Sequence, residues 1–572
     1  MQSNEKNRHA KMQNMGWISV TVVAMLGIVS VGATWQANSK PHPRKILPAQ
    51  PEGQFRVLPY LQHPSADAIS ILWFSDQKAI AELEVEGVGY FYSEPQLAKD
   101  LIYSAAEKNY IHGPKNLSKL HADLAKGTLP SVPYRHRIRV MGLKPNQIYT
   151  YHVRQAGQPT FTSRFQTAPN RKEGQSIRFV VMSDMETEPE STGQFTTWTQ
   201  SDPYQPLAAT HSSLERRYLV DQTTGYQQTL KAVAQFNPQL CLIAGDLTAK
   251  GGRQLDWDEF WRHMAGQWGQ LASHTTLLPV MGNHDLYWHP NQSAPYDQAS
   301  VQRAYAKWRT YWEVPETGAK LPSAKGRYYR LDYGPVTIIS LDSTNGHDQN
   351  ALQDTNLLLD GRASGVPDFN PNSEQWQWAE QQLQQAKVQG QIIFVQWHHM
   401  AYGTGIHSLP SGWAGIAQGQ DKHSGQAMRV YHPLMRKYGV VAVFSGHNEL
   451  LETVEVDGVQ YWDVGFSGDG LRGPMFEKNK LYPYAQLPKH AQDSHWSAHT
   501  HAQEIWQGKQ LLSGGKHYGF LAVKIDPQPD DPSAYQISMQ PHYSLPQLDE
   551  QGHFTGKFIL KTYNKKVVRQ YP

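Results

Sequence analysis

Five short polar clusters stand out along the chain, each directly after an apolar run that favours a buried strand. They are Asp184-Met185-Glu186, Gly245-Asp246, Gly282-Asn283-His284-Asp285, His398-His399 and Gly446-His447-Asn448-Glu449. Ligands of open α/β sheets bind beyond the carboxyl ends of the strands, so we expect these side chains to converge. Carboxylates, an amide oxygen and neutral imidazoles are the donors of a two-metal site that cleaves phosphate esters. A single Gly-Asp is often only a turn, whereas the ordered set of five predicts such a site.

Six apolar runs provide the strands that would position these clusters. They are Ile177–Met182, Leu240–Ala244, Thr276–Met281, Val336–Leu341, Ile392–Gln396 and Val440–Phe444. Near-continuous apolar runs of this length are typical of a sheet that is covered on both faces. Helical patterns lie between them at Thr224–Phe236 and Ser373–Lys387, and Asn372 with Gln375 predicts a capping box at the second helix. Phe520–Ile525 and Tyr535–Met539 indicate a closing sheet.

The region before residue 170 has a different pattern. Arg137–Val140 and Tyr149–Val153 alternate apolar and polar residues on either side of a Gly-Leu-Lys-Pro-Asn turn. This pattern predicts a small β-sandwich of the fibronectin type III kind. The stretch between Ser93 and Pro133 is expected to be a long, partly helical insertion.

Composition excludes several classes of protein. The 572 residues are 39% hydrophobic, which is enough for a sizeable core and argues against a mostly disordered chain. The 53 Lys and Arg residues nearly balance the 50 Asp and Glu residues, with no polybasic block, so no specific nucleic-acid binding is expected. Cys241 is the single cysteine, and it cannot form an internal disulfide.

The first residues predict export. Three basic residues, Lys6, Arg8 and Lys11, precede an uncharged run from Trp17 to Ala33. This pattern matches a signal peptide with cleavage after Ala33, and it places the protein in the periplasm or outside the cell. The run is at the short limit for a membrane span, so an uncleaved N-terminal anchor remains the alternative and the only expected membrane contact.

The motifs resemble the calcineurin-like metallophosphoesterase superfamily and, within it, the purple acid phosphatase architecture, over roughly Pro59 to Ile525. The resemblance implies an α/β (α+β) fold with a four-layer αββα domain after an all-β, fibronectin III-like sandwich. The expected boundaries are 1–33 for the signal peptide or anchor, 34–54 for a linker, 55–170 for the sandwich, 176–545 for the metallophosphoesterase domain and 546–572 for a tail.

The resemblance also implies roles for individual residues. Two divalent or mixed-valence ions (Mn, Fe, Zn, Mg or Ca) would share the Asp246 carboxylate. Asp184 would bind at the first metal site, and Asn283, His398 and His447 would complete the second metal site. His284, held by Asp285, would sit beside the phosphate of a small phosphate ester. His407, nine residues beyond His398, would face the substrate, unless it lies in a solvated loop.

The chain departs from the family pattern at the first metal site. Glu186 and Glu449 stand where histidine is usual, and Ala249 stands where purple acid phosphatases have tyrosine. The two glutamates could make a carboxylate-rich site for a hard ion. Alternatively, they lie outside the ligand set or face solvent, and the first metal site is degenerate.

The motifs leave the substrate class open. We expect an acid-phosphatase-like monoesterase. The alternatives are a phosphodiesterase or nucleotide pyrophosphatase with the same site, and a non-catalytic surface binding protein. An insertion at residues 471–512 contains His490, His495, His499 and His501, which we expect to lie in a solvated loop; the alternatives are a lid or an extra metal site. Asp342 and Ser343 are expected to form hydrogen bonds at the end of a strand.

Overall fold

The structure is a computed structural model of the chain, and it describes about two thirds of the residues. These are 40–45, 55–105, 107–108, 133–155, 158–171, 174–187, 195–198, 216–219, 222–286, 298–320, 322–344, 367, 369, 371–405, 407, 425–471, 476–477, 480–481, 487–498, 505–507, 510–513, 517–531, 534–548, 554–564 and 566–571. The predicted signal peptide and most of the predicted linker lie outside the described residues, as does most of the insertion between Ser93 and Pro133. No helix among the described residues is long and apolar enough to cross a membrane.

Eight antiparallel strands form the N-terminal region. They are β1 (Phe55–Gln62), β2 (Ala68–Ser75), β3 (Ala81–Val85), β4 (Gly89–Ser93), β5 (Gln96–Leu97), β6 (Tyr134–Met141), β7 (Ile148–Arg154) and β8 (Phe161–Gln166). They make two sheets, ordered β1-β2-β6-β5 and β4-β3-β7-β8. Apolar side chains from both sheets, including Ile71, Trp73 and Phe91, pack into one buried core. The all-β sandwich predicted from alternating residues is confirmed.

The second region contains the other strands and the helices. The strands are β9 (Ile177–Met182), β10 (Phe195–Trp198), β11 (Arg216–Leu219), β12 (Leu240–Ile243), β13 (Thr276–Pro279), β14 (Tyr329–Tyr333), β15 (Val336–Ser340), β16 (Ile392–His399), β17 (Ala442–Gly446), β18 (Leu451–Val456), β19 (Val459–Val464), β20 (Phe476–Glu477), β21 (Lys480–Leu481), β22 (Trp496–Ser497), β23 (Ile505–Gln507), β24 (Gln510–Ser513), β25 (Tyr518–Pro527), β26 (Tyr535–Leu548), β27 (Phe554–Thr562) and β28 (Lys566–Tyr571). The helices are α1 (Gln222–Phe236), α2 (Gln254–Met264), α3 (Gln298–Tyr311), α4 (Glu374–Val388), α5 (His432–Tyr438) and α6 (Lys489–Gln492).

Two large sheets dominate this region. The first is ordered β13-β12-β9-β25-β26-β24-β23, with β27 and β28 also paired to β26, and the second is ordered β14-β15-β16-β17-β19-β18-β22. Their facing sides share a core in which Phe179 packs against Phe394 and Phe444, with ring centroids 5.2 and 6.0 Å apart. Helices α1, α2 and α3 share a core with the outer face of the first sheet, and α4 and α5 with that of the second. The predicted αββα layering is confirmed.

The cap of helix α4 differs from the sequence prediction. Ser373 is the N-cap, and its hydroxyl accepts a hydrogen bond from the N–H of Trp376 at 3.2 Å. Asn372, the predicted cap, lies in the preceding turn with a φ of 71°. The Gln375 amide does not complete a capping box, because it both donates to and accepts from the backbone of Asp342 at 2.9 Å. The capping-box prediction was therefore wrong.

The C-terminal residues also differ from the prediction. The segment 546–572 was expected to be a tail, but it holds the end of β26 and the strands β27 and β28. Both of those strands pair antiparallel with β26. β26 is 14 residues long, and its two halves pair with different partners, which a short apolar pattern around residues 535–539 does not reveal.

Candidate metal centre

The polar clusters lie where parallel strands end. β9, β12 and β13 pair in parallel in the first sheet, as do β16 and β17 in the second. Four site residues have positive φ angles there: 51° at Asp184, 50° at Asp246, 76° at His447 and 51° at Glu449. Residues other than glycine rarely adopt this conformation, and it persists where the surroundings fix it, often at functional sites.

Glycines in the motifs allow the close approach of the clusters. A side chain at Gly282 would collide with the carboxylate of Asp246, and one at Gly446 would collide with Ser183 and Asp184. The Gly-Asn-His-Asp and Gly-His motifs therefore require glycine for packing.

Three predicted ligands of the second metal site converge on one point. His398 Nε2 lies 2.9 Å from Asn283 Oδ1 and 3.0 Å from Asp246 Oδ2. His398 Nδ1 lies 2.9 Å from the carbonyl oxygen of Ala244, so Nδ1 carries a hydrogen and Nε2 faces two oxygen atoms. Asp246, His398 and His447 have ligand atoms within 4.8 Å of one another. A cation between these atoms would satisfy all of them.

Asp246 also belongs to a second group of ligand atoms. Glu186, Asp246 and His284 again have ligand atoms within 4.8 Å of one another. Oε2 of Glu186 is buried and has no hydrogen-bond partner among the described residues. Burial and the charges of Asp246 and Asp184 raise the pKa of Glu186 well above its ordinary value. A buried, unsatisfied carboxylate among other carboxylates fits a metal ion at this position.

The other predicted first-site ligands lie close by, although neither belongs to the two groups. Both oxygens of Asp184 accept from the N–H of His447 at 3.1 Å. Burial, with a contribution from Asp246, raises the pKa of Asp184 to about 6. Glu449 is 9% exposed, Glu186 is 8% exposed, and the charge of Glu449 contributes to the raised pKa of Glu186. The alternative that the two glutamates face solvent is wrong.

Asp285 has a different partner from the predicted one. Its carboxylate accepts from the N–H groups of Gly282, Leu247 and Thr248 at 2.9, 3.0 and 3.2 Å. The Nδ1 of His284 instead donates to the carbonyl oxygen of Ala249 at 3.1 Å. The prediction that Asp285 holds the His284 ring was wrong, because Asp285 joins the loop after β12 to the loop after β13.

The charge of His398 depends on its neighbours. Burial would lower the pKa of His398, but Asp246 and Asp184 outweigh it and raise the pKa to about 10. The same interaction acts on Asp246: burial would raise its pKa, and His398 and His284 lower it overall. Without a metal ion, a proton on His398 Nε2 would replace it between the two oxygens.

Ser343 fixes the backbone that carries His398. The hydroxyl oxygen of Ser343 accepts from the N–H groups of His398 and His399, both at 3.1 Å. With both N–H groups directed at this oxygen, the hydroxyl hydrogen is available for His399 Nδ1, which lies 2.9 Å away. The ring of His399 in turn lies 4.3 Å from that of His447. The expected role of Ser343 as a hydrogen-bonding residue at the end of a strand matches this geometry.

His407 reaches the site from the loop after β16. Its ring centroid lies 4.2 Å from that of His447, and its N–H donates to Asn448 Oδ1 at 3.0 Å. His407 and His284 are half-buried, whereas His398, Asp246 and His447 are buried. The two half-buried histidines are therefore the site residues that a ligand from solvent would meet first.

Sequence reasoning missed Asp463 and Asp469, and it assigned no role to His399 of the His398-His399 cluster. Asp463 is buried on β19, and burial together with Glu452 and Asp184 raises its pKa well above its ordinary value. Asp469 donates its N–H to the carbonyl oxygen of Asp184 at 3.0 Å, and its charge also raises the pKa of Glu186. The Gly468-Asp469-Gly470 triplet shortly after a buried strand was a signal comparable to Gly245-Asp246.

Comparisons with known proteins agree with this geometry. The family model described as calcineurin-like phosphoesterase matches residues 177–448. A curated relative from Arabidopsis thaliana, named "Probable purple acid phosphatase 20", is 25% identical over 381 residues, which cover 64% of this chain and 68% of the relative.

Two solved structures are also similar. The purple acid phosphatase PPD1 from yellow lupin (Lupinus luteus) has a TM-score of 0.51 and 15% identity, over 90% of this chain and 74% of its own. PhoD has a TM-score of 0.49 and 11% identity, over 92% and 91%. The family match covers the five motifs up to Asn448, and the lupin structure shares the fold. Residues 177–448 are a calcineurin-like phosphoesterase domain, which makes the protein a phosphoric ester hydrolase, and the chain has a purple acid phosphatase-like architecture.

Proposed function

We propose that this protein is an exported phosphomonoesterase that works with two metal ions joined by Asp246. The observation that supports this most is that Asp246 belongs to both groups of ligand atoms, one with His398 and His447 and one with Glu186 and His284. A carboxylate has two oxygens and can serve two ions that lie about 3.5–4 Å apart. The assignment of Asp184 and Glu449 to the first metal site, and of Asn283 to the second, belongs to the same proposal.

The residues divide into those that bind metal and those that act on the substrate. Two bound ions would polarise the phosphoryl group and lower the pKa of a water molecule that attacks it. We assign the first ion to the carboxylates and not to His284. His284 holds its Nδ1 hydrogen on Ala249, so its Nε2 is the nitrogen that would carry a proton to the leaving alcohol. His407, half-buried beside His447, would donate a hydrogen bond to a phosphoryl oxygen.

The preference for a monoester rests on the plant relative, which is named as a purple acid phosphatase. The test is a panel of an aryl phosphate monoester, an aryl phosphate diester and a nucleoside triphosphate, assayed with each candidate metal. We expect kcat/KM for the monoester to exceed that for the diester by at least ~10-fold. A preference for the diester would support the phosphodiesterase alternative, and no hydrolysis with any metal would support the binding-protein alternative.

The first metal site is proposed to hold a hard ion. Carboxylates of Asp184, Glu186, Asp246 and Glu449 give it more negative charge than a site with histidines, which favours Mn²⁺, Mg²⁺, Ca²⁺ or iron. Because Ala249 replaces the usual tyrosine, an iron-loaded form should not be purple. A strong visible band traced to a tyrosinate ligand would contradict the assignment of Asp246.

Export is the remaining part of the proposal. The basic residues and the apolar run from Trp17 to Ala33 support a cleaved signal peptide. N-terminal sequencing of the mature protein should return Thr34 or a residue close to it. Recovery of an intact Met1 in the membrane fraction would show an anchor instead.

A further inference from the structure

A buried hydrogen-bond network connects the segment after residue 471 with the loop that carries His407. His495 Nε2 lies 2.9 Å from Glu452 Oε2, and the two side chains are only 4% and 1% exposed. The same carboxylate accepts from the N–H of Thr404 at 2.8 Å and from its hydroxyl at 2.6 Å. One carboxylate therefore binds both a histidine from the insertion and a threonine from the loop after β16.

The position of Glu452 explains why the network can hold a fixed geometry. Glu452 lies on β18, where it pairs with Ser497 of β22, two residues from His495. A buried carboxylate is costly unless hydrogen-bond donors surround it, and charge-assisted hydrogen bonds are among the strongest. His495 is one of the three donors on this carboxylate, so removing it weakens the arrangement that also fixes Thr404. The expectation that this part of the insertion is a solvated loop was wrong for His495.

The loop after β16 links the position of Thr404 to that of His407 at the candidate metal centre. Gly405 packs against the side chain of Asn448 so closely that a Cβ atom would collide with it. Asn448 in turn accepts the N–H of His407, whose ring lies beside His447. Only two residues separate Thr404 from His407. A shift of Thr404 therefore moves His407 relative to the metal ligands.

We propose that His495 and Glu452 are positioning residues that hold the Thr404–His407 loop, and with it His407, against the metal centre. The inference rests on the proposed function, because it is His407 that would contact the phosphate. It gives the insertion at residues 471–512 a role in hydrolysis without placing any of its residues in contact with substrate.

The first test compares two variants of His495. His495→Leu removes the donor to Glu452, whereas His495→Gln keeps an N–H group at a similar reach. A hydrogen bond to a charged group contributes substantially to stability. Because its removal would displace His407 only in part, we expect kcat/KM to fall about 10-fold in His495→Leu. The Gln variant should stay within about 3-fold of the unchanged protein, and both variants should keep the full metal content.

The second test does not depend on activity. Hydrogen–deuterium exchange of the peptide spanning residues 401–407 should be faster in His495→Leu and unchanged in His495→Gln, because the N–H groups of Thr404 and His407 are bonded within this network. A protein that hydrolyses no phosphate ester would refute the proposed function, and the exchange measurement would still test the network.

Two further variants serve as control and as backup. His517→Leu also removes a buried histidine, which stacks on Tyr543 away from this loop, and it should leave the exchange at residues 401–407 unchanged. If His495→Leu does not fold, Thr404→Val and Thr404→Ser test the same network. We expect kcat/KM to fall only in Thr404→Val, because serine keeps the hydroxyl donor to Glu452. The inference would be overturned if exchange and kcat/KM were unchanged in His495→Leu. It would also be overturned if His495→Gln showed the same faster exchange and the same loss of kcat/KM as His495→Leu.

Discussion

Replacing Ser343 with alanine tests how the segment that follows β15 supports the candidate metal centre. The hydroxyl oxygen accepts the N–H groups of His398 and His399 at 3.1 Å, and it contacts His399 Nδ1 at 2.9 Å. Ser343→Ala leaves these buried groups without that partner. An unsatisfied buried polar group costs about 1–3 kcal/mol, and local relaxation recovers part of this. We therefore expect the free energy of unfolding to fall by about 2–4 kcal/mol.

The same substitution should weaken metal binding. Loss of a residue that orients a metal-binding histidine typically costs about 10–100-fold in metal affinity or activity. We expect the metal concentration that gives half-maximal hydrolysis to rise at least about 10-fold in Ser343→Ala. The assays are urea unfolding without metal and a titration of hydrolysis with Mn²⁺.

Ser340, the last residue of β15, provides a matched control three positions before Ser343. It is also fully buried, and its hydroxyl accepts from the side-chain amide of Gln396 at 2.9 Å, away from the backbone of the metal ligands. Ser340→Ala should lose about 1 kcal/mol of stability and keep the metal requirement of the unchanged protein. Equal metal requirements in Ser343→Ala and Ser340→Ala would refute the reasoning.

Three other substitutions have distinct expected outcomes. Gly282→Ala should lower metal content and hydrolysis together, because the added methyl collides with Asp246; full metal content would contradict the packing argument. Glu186→Gln should leave the metal-free protein as stable or more stable, since repulsion is relieved, while reducing the stabilisation by added Mn²⁺; an unchanged Mn²⁺ effect would exclude Glu186 as a ligand. Burial lowers the pKa of His136 from 6.5 to about 4, so the unfolded chain binds a proton that the folded chain does not. His136 should therefore cost the protein about 3 kcal/mol of stability as pH falls from 6.5 to 4, and His136→Gln should remove this loss in pH-dependent unfolding.

The strands and the motif residues were predictable because each depends on neighbouring residues in the sequence. A buried strand is a continuous apolar run, and the residues at or shortly after its end lie at the sheet edge. Asp246 shortly after β12 and His398 in the last two residues of β16 show this. The two-layer core follows from the same runs, since strands apolar on both faces need cover on both sides.

The features that were mispredicted or missed depend on contacts between distant segments. The donors around Asp285 are backbone N–H groups from two loops. Nearly every residue has such a group, so the residue types in the sequence do not predict this contact. The contact between His495 and Glu452 joins positions 43 residues apart through the pairing of β18 with β22. Helix α4 begins one residue later than expected because the backbone at Asn372 turns before it.

The most direct test of the two-metal proposal is the metal content of the purified protein and of its Asp246→Asn variant, measured by elemental analysis beside hydrolysis of an aryl phosphate. We predict two metal ions per chain in the unchanged protein. In the variant we predict the loss of bound metal and a fall of at least about 1,000-fold in kcat, because both sites lose their shared charged ligand. Asp246→Asn protein that keeps two ions and more than a tenth of the rate would contradict the assignment, since that loss is below about 1.4 kcal/mol of transition-state stabilisation.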